Sequence, residues 1–160
     1  MKNVPMLAML VAPYLLMGHF LSANTKGFSV VLAVFVIVML LGALYAFRLP
    51  RLGYDGRRLL FWCMLMKLCN IPIFCLIFIM VIGFFPFLIP VLPFLFLFDG
   101  LLLLSTSMYG INGLLACGRE CGFDKKTIVV NMVLQLIFCT DVFSSVYCYI
   151  RARANRRRGE

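Results

Sequence analysis

Two carboxylates interrupt the long apolar runs in the second half of the sequence, and they are the residues best suited to do chemistry. Asp99 and Asp141 both lie among apolar residues. Inside a bilayer, an unpaired carboxylate costs a few kcal/mol or more, so such residues usually have a function. A pair of carboxyl groups at that depth can bind a cation or exchange protons. They are the first candidates for a functional site.

The spacing of the two carboxylates predicts that they lie at a similar depth. Asp99 precedes Cys121 by 22 residues, and Asp141 follows it by 20. If the two apolar segments form an antiparallel helical hairpin about Cys121, a rise of about 1.5 Å per residue leaves the carboxylates only a few ångströms apart in depth.

Other polar residues follow the same count. Asn112 is level with Asn131, and Tyr109 is roughly level with Gln135. At about 100° per residue, the polar residues of each helix fall within about half of its circumference. We call these two stripes the polar seam: Asp99, Ser105, Thr106, Tyr109 and Asn112 on the first helix, and Asn131, Gln135, Asp141, Ser144 and Ser145 on the second.

The sequence leaves two explanations for the polar seam. Its side chains can hold the two helices together through hydrogen bonds, each worth about 0.6 kcal/mol or somewhat more in a membrane. Alternatively, the seam forms a hydrophilic path or site. The amides and hydroxyls favour the structural explanation, whereas the two carboxyls leave both open, because a carboxyl is a costly way to make a hydrogen bond.

The preceding apolar run can add a positive charge. Lys67 and Asn70 are three residues apart and share a helix face with Cys63. Lys67 either extends toward the headgroups or supplies a counter-charge to the polar seam. Asn70 precedes Pro72 by two residues, so it either caps the backbone at a kink or contacts a substrate.

Thiol and metal chemistry have weaker support. Cys117 and Cys121 lie in a polar connection at a spacing that fits neither a zinc knuckle nor a thiol oxidoreductase, so they are a disulfide or two reduced thiols. With His19 as the only histidine, we expect no metal site of the usual histidine type. No catalytic motif is present, so we expect no enzyme and no cofactor.

The elements that must position these residues are membrane-spanning helices. The chain of 160 residues is 64% hydrophobic with a mean hydropathy of +1.04, and about 20 apolar residues suffice to cross a bilayer as a helix. We predict an all-α, polytopic transmembrane bundle in one integral membrane domain, residues 1–160. Its five predicted spans cover residues 4–21, 28–47, 59–85, 94–116 and 127–150, before a basic tail at 151–160.

The net charge of +9 is confined to the ends of these runs. No soluble fold is predicted that would present a basic face to nucleic acid, so we expect the arginines to bind anionic lipid headgroups and to hold their segments in the cytoplasm. These predicted anchors are Arg48, Arg51, Arg57 and Arg58 in the arginine loop (residues 48–58), and Arg151, Arg153, Arg156, Arg157 and Arg158 in the arginine tail (residues 151–158).

Five crossings conflict with this charge pattern. With three spans between them, the arginine loop and the arginine tail lie on opposite faces of the membrane, against the positive-inside rule. The alternative is four spans, with a re-entrant segment over 86–116, where the proline-rich stretch 86–93 cannot form a regular helix. The length of residues 94–116 favours five crossings.

Two functions remain open. The first is a small transport or permeation protein, or a transport subunit, that uses a buried polar seam between the last three spans. The second is a non-catalytic accessory, immunity or sensor subunit with a structural seam and a membrane-protein partner. A homodimer is compatible with either. The chain resembles small multi-span proteins of bacteria, which implies the bacterial cytoplasmic membrane.

Overall fold

Four helices of the computed structural model are long and apolar enough to cross a membrane. They are α1 (Val4–Leu21), α2 (Phe28–Arg48), α3 (Gly56–Gly83) and α4 (Leu92–Glu120). The structure describes residues 3–22, 27–83, 92–120, 123–137 and 140–159. Within these ranges there are helices and no strands, so the prediction of an all-α, multi-pass membrane bundle is confirmed.

Local sequence sets where the first helices begin and end. Pro5 lies in the first turn of α1, where its missing N–H costs nothing. Gly27 and Gly53 have φ values of 85° and 70°, in the left-handed region that glycine enters readily. The carboxylate of Asp55 accepts a hydrogen bond from the Arg57 backbone N–H at 3.1 Å and so caps the start of α3.

Small residues bring the long helices close together. A Cβ on Gly42 of α2 would lie 2.0 Å from the sulfur of Met9, and one on Gly56 of α3 would lie 2.8 Å from the Cβ of Ala116. The buried Tyr109 hydroxyl of α4 donates a hydrogen bond to the Gly42 carbonyl at 2.8 Å. These contacts order the core and place the start of α3 beside the end of α4.

The predicted fifth span, residues 127–150, is not one helix. The chain forms a short helix α5 (Lys125–Leu134), a turn over residues 135–137, and a second helix α6 (Thr140–Gly159). The Thr140 hydroxyl donates to the carbonyls of Leu134 and Ile137, each at 3.0 Å, and so satisfies backbone acceptors at the break. At about 1.5 Å per residue, the ten residues of α5 extend about 15 Å, half of the bilayer core.

The two short helices form an antiparallel hairpin, which we call the α5–α6 hairpin. The Ser144 hydroxyl donates to the Asn131 side-chain oxygen at 3.0 Å, and Arg151 donates to the Thr127 hydroxyl at 3.1 Å. The hairpin therefore enters the bundle from one end and returns to that same end. The prediction of a fifth crossing is wrong, because the polypeptide reverses direction between α5 and α6.

This reversal places both basic clusters at one end of the bundle. Arg57 and Arg58 of the arginine loop line a single cleft with Arg153 of the arginine tail, together with Phe61 and Tyr149. The prediction that the loop and tail lie on opposite faces is therefore wrong, and the conflict with the positive-inside rule disappears. The segment that does not cross is the α5–α6 hairpin rather than residues 86–116, since α4 is full length.

Two predicted boundaries differ in smaller ways. The description of α3 ends at Gly83, and residues 84–91 lie outside the described part of the chain, so the proline-rich stretch is described only at its end. There, Leu92 and Pro93 already belong to α4, whose first turn accepts proline without losing a hydrogen bond.

Candidate functional site

A buried ion pair joins α3 to the tip of the hairpin. The Lys67 Nζ lies 3.3 Å from the Asp141 Oδ2, and the two side chains are 2% and 9% exposed. Asp141 lies in the first turn of α6, where the amino end of the helix also favours a negative charge. Of the two predicted roles for Lys67, that of counter-charge is correct, and extension toward the headgroups is wrong because the ammonium is buried.

The pair lies deep in the bundle. Lys67 is 11 residues from the start of α3 at Gly56, which corresponds to about 16 Å along the helix axis, close to the middle of a bilayer core of about 30 Å. Moving two charges to that depth is expensive, and only close pairing with further hydrogen bonds offsets the cost.

Ser107 of α4 connects this pair to the break between α5 and α6. The Lys67 ammonium donates to the Ser107 hydroxyl at 3.5 Å, and that hydroxyl donates to the Gln135 backbone carbonyl at 2.6 Å. Ser107 was absent from the predicted seam. The sequence feature that could have indicated Ser107 is the triplet 105–107, which places three consecutive hydroxyl residues in an otherwise apolar run. Lys67, Asp141, Ser107 and Gln135 together are called the polar centre below.

Gln135 occupies the tip of the hairpin with its side chain fully buried. A Cβ on Gly110 would lie 1.9 Å from the Gln135 Oε1, so the amide packs directly on the glycine. Within the described residues, neither Nε2 nor Oε1 of Gln135 has a hydrogen-bond partner. Leaving a buried amide in this state costs about 1–3 kcal/mol, so the tip carries hydrogen-bonding capacity that the described residues do not use.

A second layer of polar contacts lies beside the ion pair. The Cys63 thiol donates to the Thr106 carbonyl at 3.5 Å, and its sulfur lies 3.6 Å from the Ser145 hydroxyl. The Ser145 hydroxyl donates to the backbone carbonyl of Asp141 at 2.7 Å. This layer ties the first turn of α6 to α3 and α4 and fixes the position of the carboxylate.

Other seam residues make structural contacts. The Asn112 side chain donates to the Met108 carbonyl at 2.9 Å, and Asn131 donates to the Thr127 carbonyl at 2.8 Å, both within their own helices. Tyr109, as described above, joins α4 to α2. For these three residues the contacts are those expected of helix packing and local backbone satisfaction.

The structure does not bring Asp99 to Asp141. Asp99 is eight residues from Ser107 along α4, or about 12 Å at the helical rise. Its Oδ1 is buried and has no hydrogen-bond partner among the described residues. The predicted carboxylate pair is therefore wrong, because the reversal after Gln135 carries Asp141 back toward the arginine end instead of onward to the level of Asp99.

Asn70 does not act as the predicted cap in the described contacts. It is buried, with an Oδ1 that has no hydrogen-bond partner in the described part of the chain. Near Pro72, which lies within the continuous helix α3, the carbonyl of Cys69 accepts a hydrogen bond from the hydroxyl of Tyr14 on α1. Sequence reasoning missed Tyr14, since only the packing of α1 on α3 reveals it.

The structure describes only some of the cysteines and arginines that were predicted as a thiol pair and as lipid anchors. Cys117 is buried within α4 rather than in a polar connection, because α4 extends to Glu120. Cys121 lies outside the described residues, as do the side chains of Arg156, Arg157 and Arg158. Arg48 and Arg51 line an open groove at the end of α2.

The polar centre permits a simple exchange. An ammonium and a carboxylate in contact neutralise one another, so a further ion that binds either group competes with their pairing. A proton or cation that reaches Asp141 would replace Lys67, whose ammonium already has a second acceptor in the Ser107 hydroxyl. The hairpin tip supplies an unsatisfied amide beside this exchange.

Comparison with known proteins gives a family and nothing more. A family model described as "Family of unknown function (DUF6652)" matches residues 3–155. No curated protein and no solved structure matches the chain.

Proposed function

Since the chain belongs to this family of unknown function, we propose its function from the polar centre: a small transport protein, or transport subunit, that passes protons or small cations. The observation that carries the proposal is the buried Lys67–Asp141 ion pair at the tip of the α5–α6 hairpin. Charged residues deep in a membrane bundle usually mark an ion or substrate pathway, and broken helices are a common way to build one.

The charges favour a cation or a proton over an anion. Asp141 is the group that such a species would bind, and Lys67 is the competitor that must leave it. When Asp141 takes up a proton at its carboxylate, the attraction between the two side chains weakens. The ammonium then keeps its hydrogen bond to Ser107, 3.5 Å away. Release of the proton restores the pair, so the site alternates between a neutral ion pair and a state in which the Lys67 ammonium has no counter-charge and is held by the Ser107 hydroxyl.

We also propose an orientation and a membrane. The arginine loop and the arginine tail lie at one end of the bundle, and the positive-inside rule assigns that end to the cytoplasm. The membrane that we propose is the bacterial cytoplasmic membrane, and no enzymatic activity or nucleic-acid partner forms part of this proposal.

The test is ion flux in proteoliposomes that contain the purified full-length chain. Pyranine inside the vesicles reports proton entry driven by a potassium diffusion potential, and dyes for sodium and potassium extend the test to cations. We expect flux with the unmodified chain and with D124N, which removes an exposed acid at the start of α5. We expect background flux with the double variant K67M/D141L.

The double variant is chosen because it avoids a lone buried charge. Replacing both members of a buried ion pair by apolar residues is often neutral or stabilising, whereas replacing one is strongly destabilising. Equal flux in K67M/D141L and the unmodified chain, or flux from neither above that of protein-free vesicles, would contradict transport.

A second function, that of an accessory subunit, is supported by those residues of the polar seam whose hydrogen bonds hold helices together. Tyr109 bonds to Gly42, and Ser144 bonds to Asn131, so several polar side chains hold helices together. An accessory, immunity or sensor subunit, paired with a larger membrane protein or with a second copy, would need no more than this. Crosslinking in native membranes would then trap that partner, and K67M/D141L would retain biological activity.

A further inference from the structure

A groove of about 580 Å³ runs along the outer side of the α5–α6 hairpin, away from the polar centre. Its charged lining residues are Lys126 and Arg151, both cationic and both near the arginine end of the bundle. Deeper along the groove, Val130, Leu134 and Phe143 supply an apolar lining, and the polar residues beside them are Asn131, Thr140 and Ser144. Asn131 and Ser144 are buried and bonded to each other, and Thr140 bonds to backbone carbonyls. The exposed lining therefore changes from basic to mainly apolar with depth, as a phospholipid changes from headgroup to acyl chain.

Arg151 is held in place at the basic end. Its Nη1 donates to the Thr127 hydroxyl at 3.1 Å and to the Tyr147 hydroxyl at 2.9 Å. Its guanidinium carbon also lies 5.5 Å from the ring centre of Phe123 and 5.9 Å from that of Tyr147, within cation–π range. A guanidinium fixed in this way loses little further freedom when it binds a phosphate.

The apolar part of the groove is exposed to the surroundings of the bundle. Phe143 is 78% exposed and Val130 is 55% exposed. An exposed apolar surface that continues from a basic end matches one class of occupant, a lipid lying alongside the hairpin.

We propose that this groove binds one anionic phospholipid, with the phosphate between Arg151 and Lys126 and one acyl chain along Val130, Leu134 and Phe143. The bound lipid would pack against both helices of the hairpin. This proposal does not depend on transport, since no residue of the polar centre lines the groove.

The experiment is native mass spectrometry of the delipidated full-length chain in detergent, titrated with phosphatidylglycerol and with phosphatidylcholine. We expect one phosphatidylglycerol bound in preference to phosphatidylcholine. R151Q should weaken the apparent affinity for phosphatidylglycerol about fivefold, the effect of about one lost basic contact. The matched control is K125Q, which removes an exposed lysine that does not line the groove and should leave this affinity unchanged.

Two further variants test the basic and apolar parts without removing the hydrogen bonds of Arg151. K126Q should weaken phosphatidylglycerol binding, and V130W should do so by filling the acyl-chain section while keeping both cations. Inorganic phosphate at millimolar concentration distinguishes a free-anion site from a lipid site. The proposal is overturned if V130W binds as the unmodified chain does while phosphate displaces the lipid. It is overturned equally if phosphatidylcholine binds as tightly as phosphatidylglycerol, or if K126Q and R151Q change nothing.

Discussion

Lys67 and Asp141 form the ionic contact between α3 and the tip of the α5–α6 hairpin. Their charged atoms lie 3.3 Å apart, on antiparallel helices: α3 runs away from the arginine end of the bundle, and α6 runs back toward it. Near that end, the rings of Phe61 and Tyr149 pack at 5.6 Å between centres. The hairpin is therefore held by apolar contact near its base and by charge at its tip, so the two parts can be tested separately.

The ion pair should show strong coupling between its two members. K67M alone leaves a buried carboxylate, and D141L alone leaves a buried ammonium, so each should lower the free energy of unfolding by about 3–5 kcal/mol. K67M/D141L should be as stable as the unmodified chain or more so. Thermal unfolding in detergent, arranged as a double-mutant cycle, measures this coupling. Additive losses in the double variant would show that the two side chains do not interact.

The hairpin topology predicts where the arginine loop and tail are accessible. In a cysteine-free background, R51C and N155C should react with an impermeant thiol reagent from the same side of the membrane. G83C, at the far end of α3, should react from the opposite side. Labelling is compared in intact cells and in permeabilised cells. Opposite accessibility of positions 51 and 155 would restore five crossings and refute the hairpin.

The sequence predicted the depth of Gln135 but not the reversal that follows it. Counting residues from the connection near Cys121 places Gln135 level with Tyr109, and the amide does pack on neighbouring Gly110. The same count fails for Asp141, since it assumes a continuous helix. The residues around the break, 134–139, are largely apolar, so hydropathy alone gives no sign of a turn. At the reversal, Thr140 satisfies nearby carbonyls within the turn, whereas the bond from Ser107 to the Gln135 carbonyl comes from α4 and exists only in the tertiary fold.

The local sequence was also insufficient to predict the role of Lys67. A lysine at this position can reach either the headgroups or a buried acid, and only the packing of α6 on α3 decides between them. The class of the fold, in contrast, was predictable from local sequence alone. A run of about 20 apolar residues has few stable structures other than a membrane-spanning helix.

The close packing at the tip makes Gly110 intolerant of a side chain. G110V should destabilise the chain by about 1–3 kcal/mol, because a Cβ at this position meets the buried Gln135 amide at 1.9 Å. G100V is the matched control on the same helix, since a Cβ on Gly100 meets no described atom within 4 Å. Thermal unfolding of the two variants is compared directly. Equal effects would mean that the change in helix propensity, and not contact with the hairpin, decides the outcome.

The hydroxyl of Ser107 should matter more than that of Ser105, although both side chains are almost fully buried. S107A removes the donor to the Gln135 carbonyl at the helix break, and leaving that carbonyl unsatisfied should cost about 1–3 kcal/mol. It also removes the second acceptor of Lys67, so any proton flux should fall as well. S105A removes a hydroxyl that makes none of the described contacts of the polar centre, and it should change both quantities less. Unfolding in detergent and pyranine flux in proteoliposomes give the two readouts. If S105A and S107A lose stability and flux equally, the connection through Ser107 has no special role.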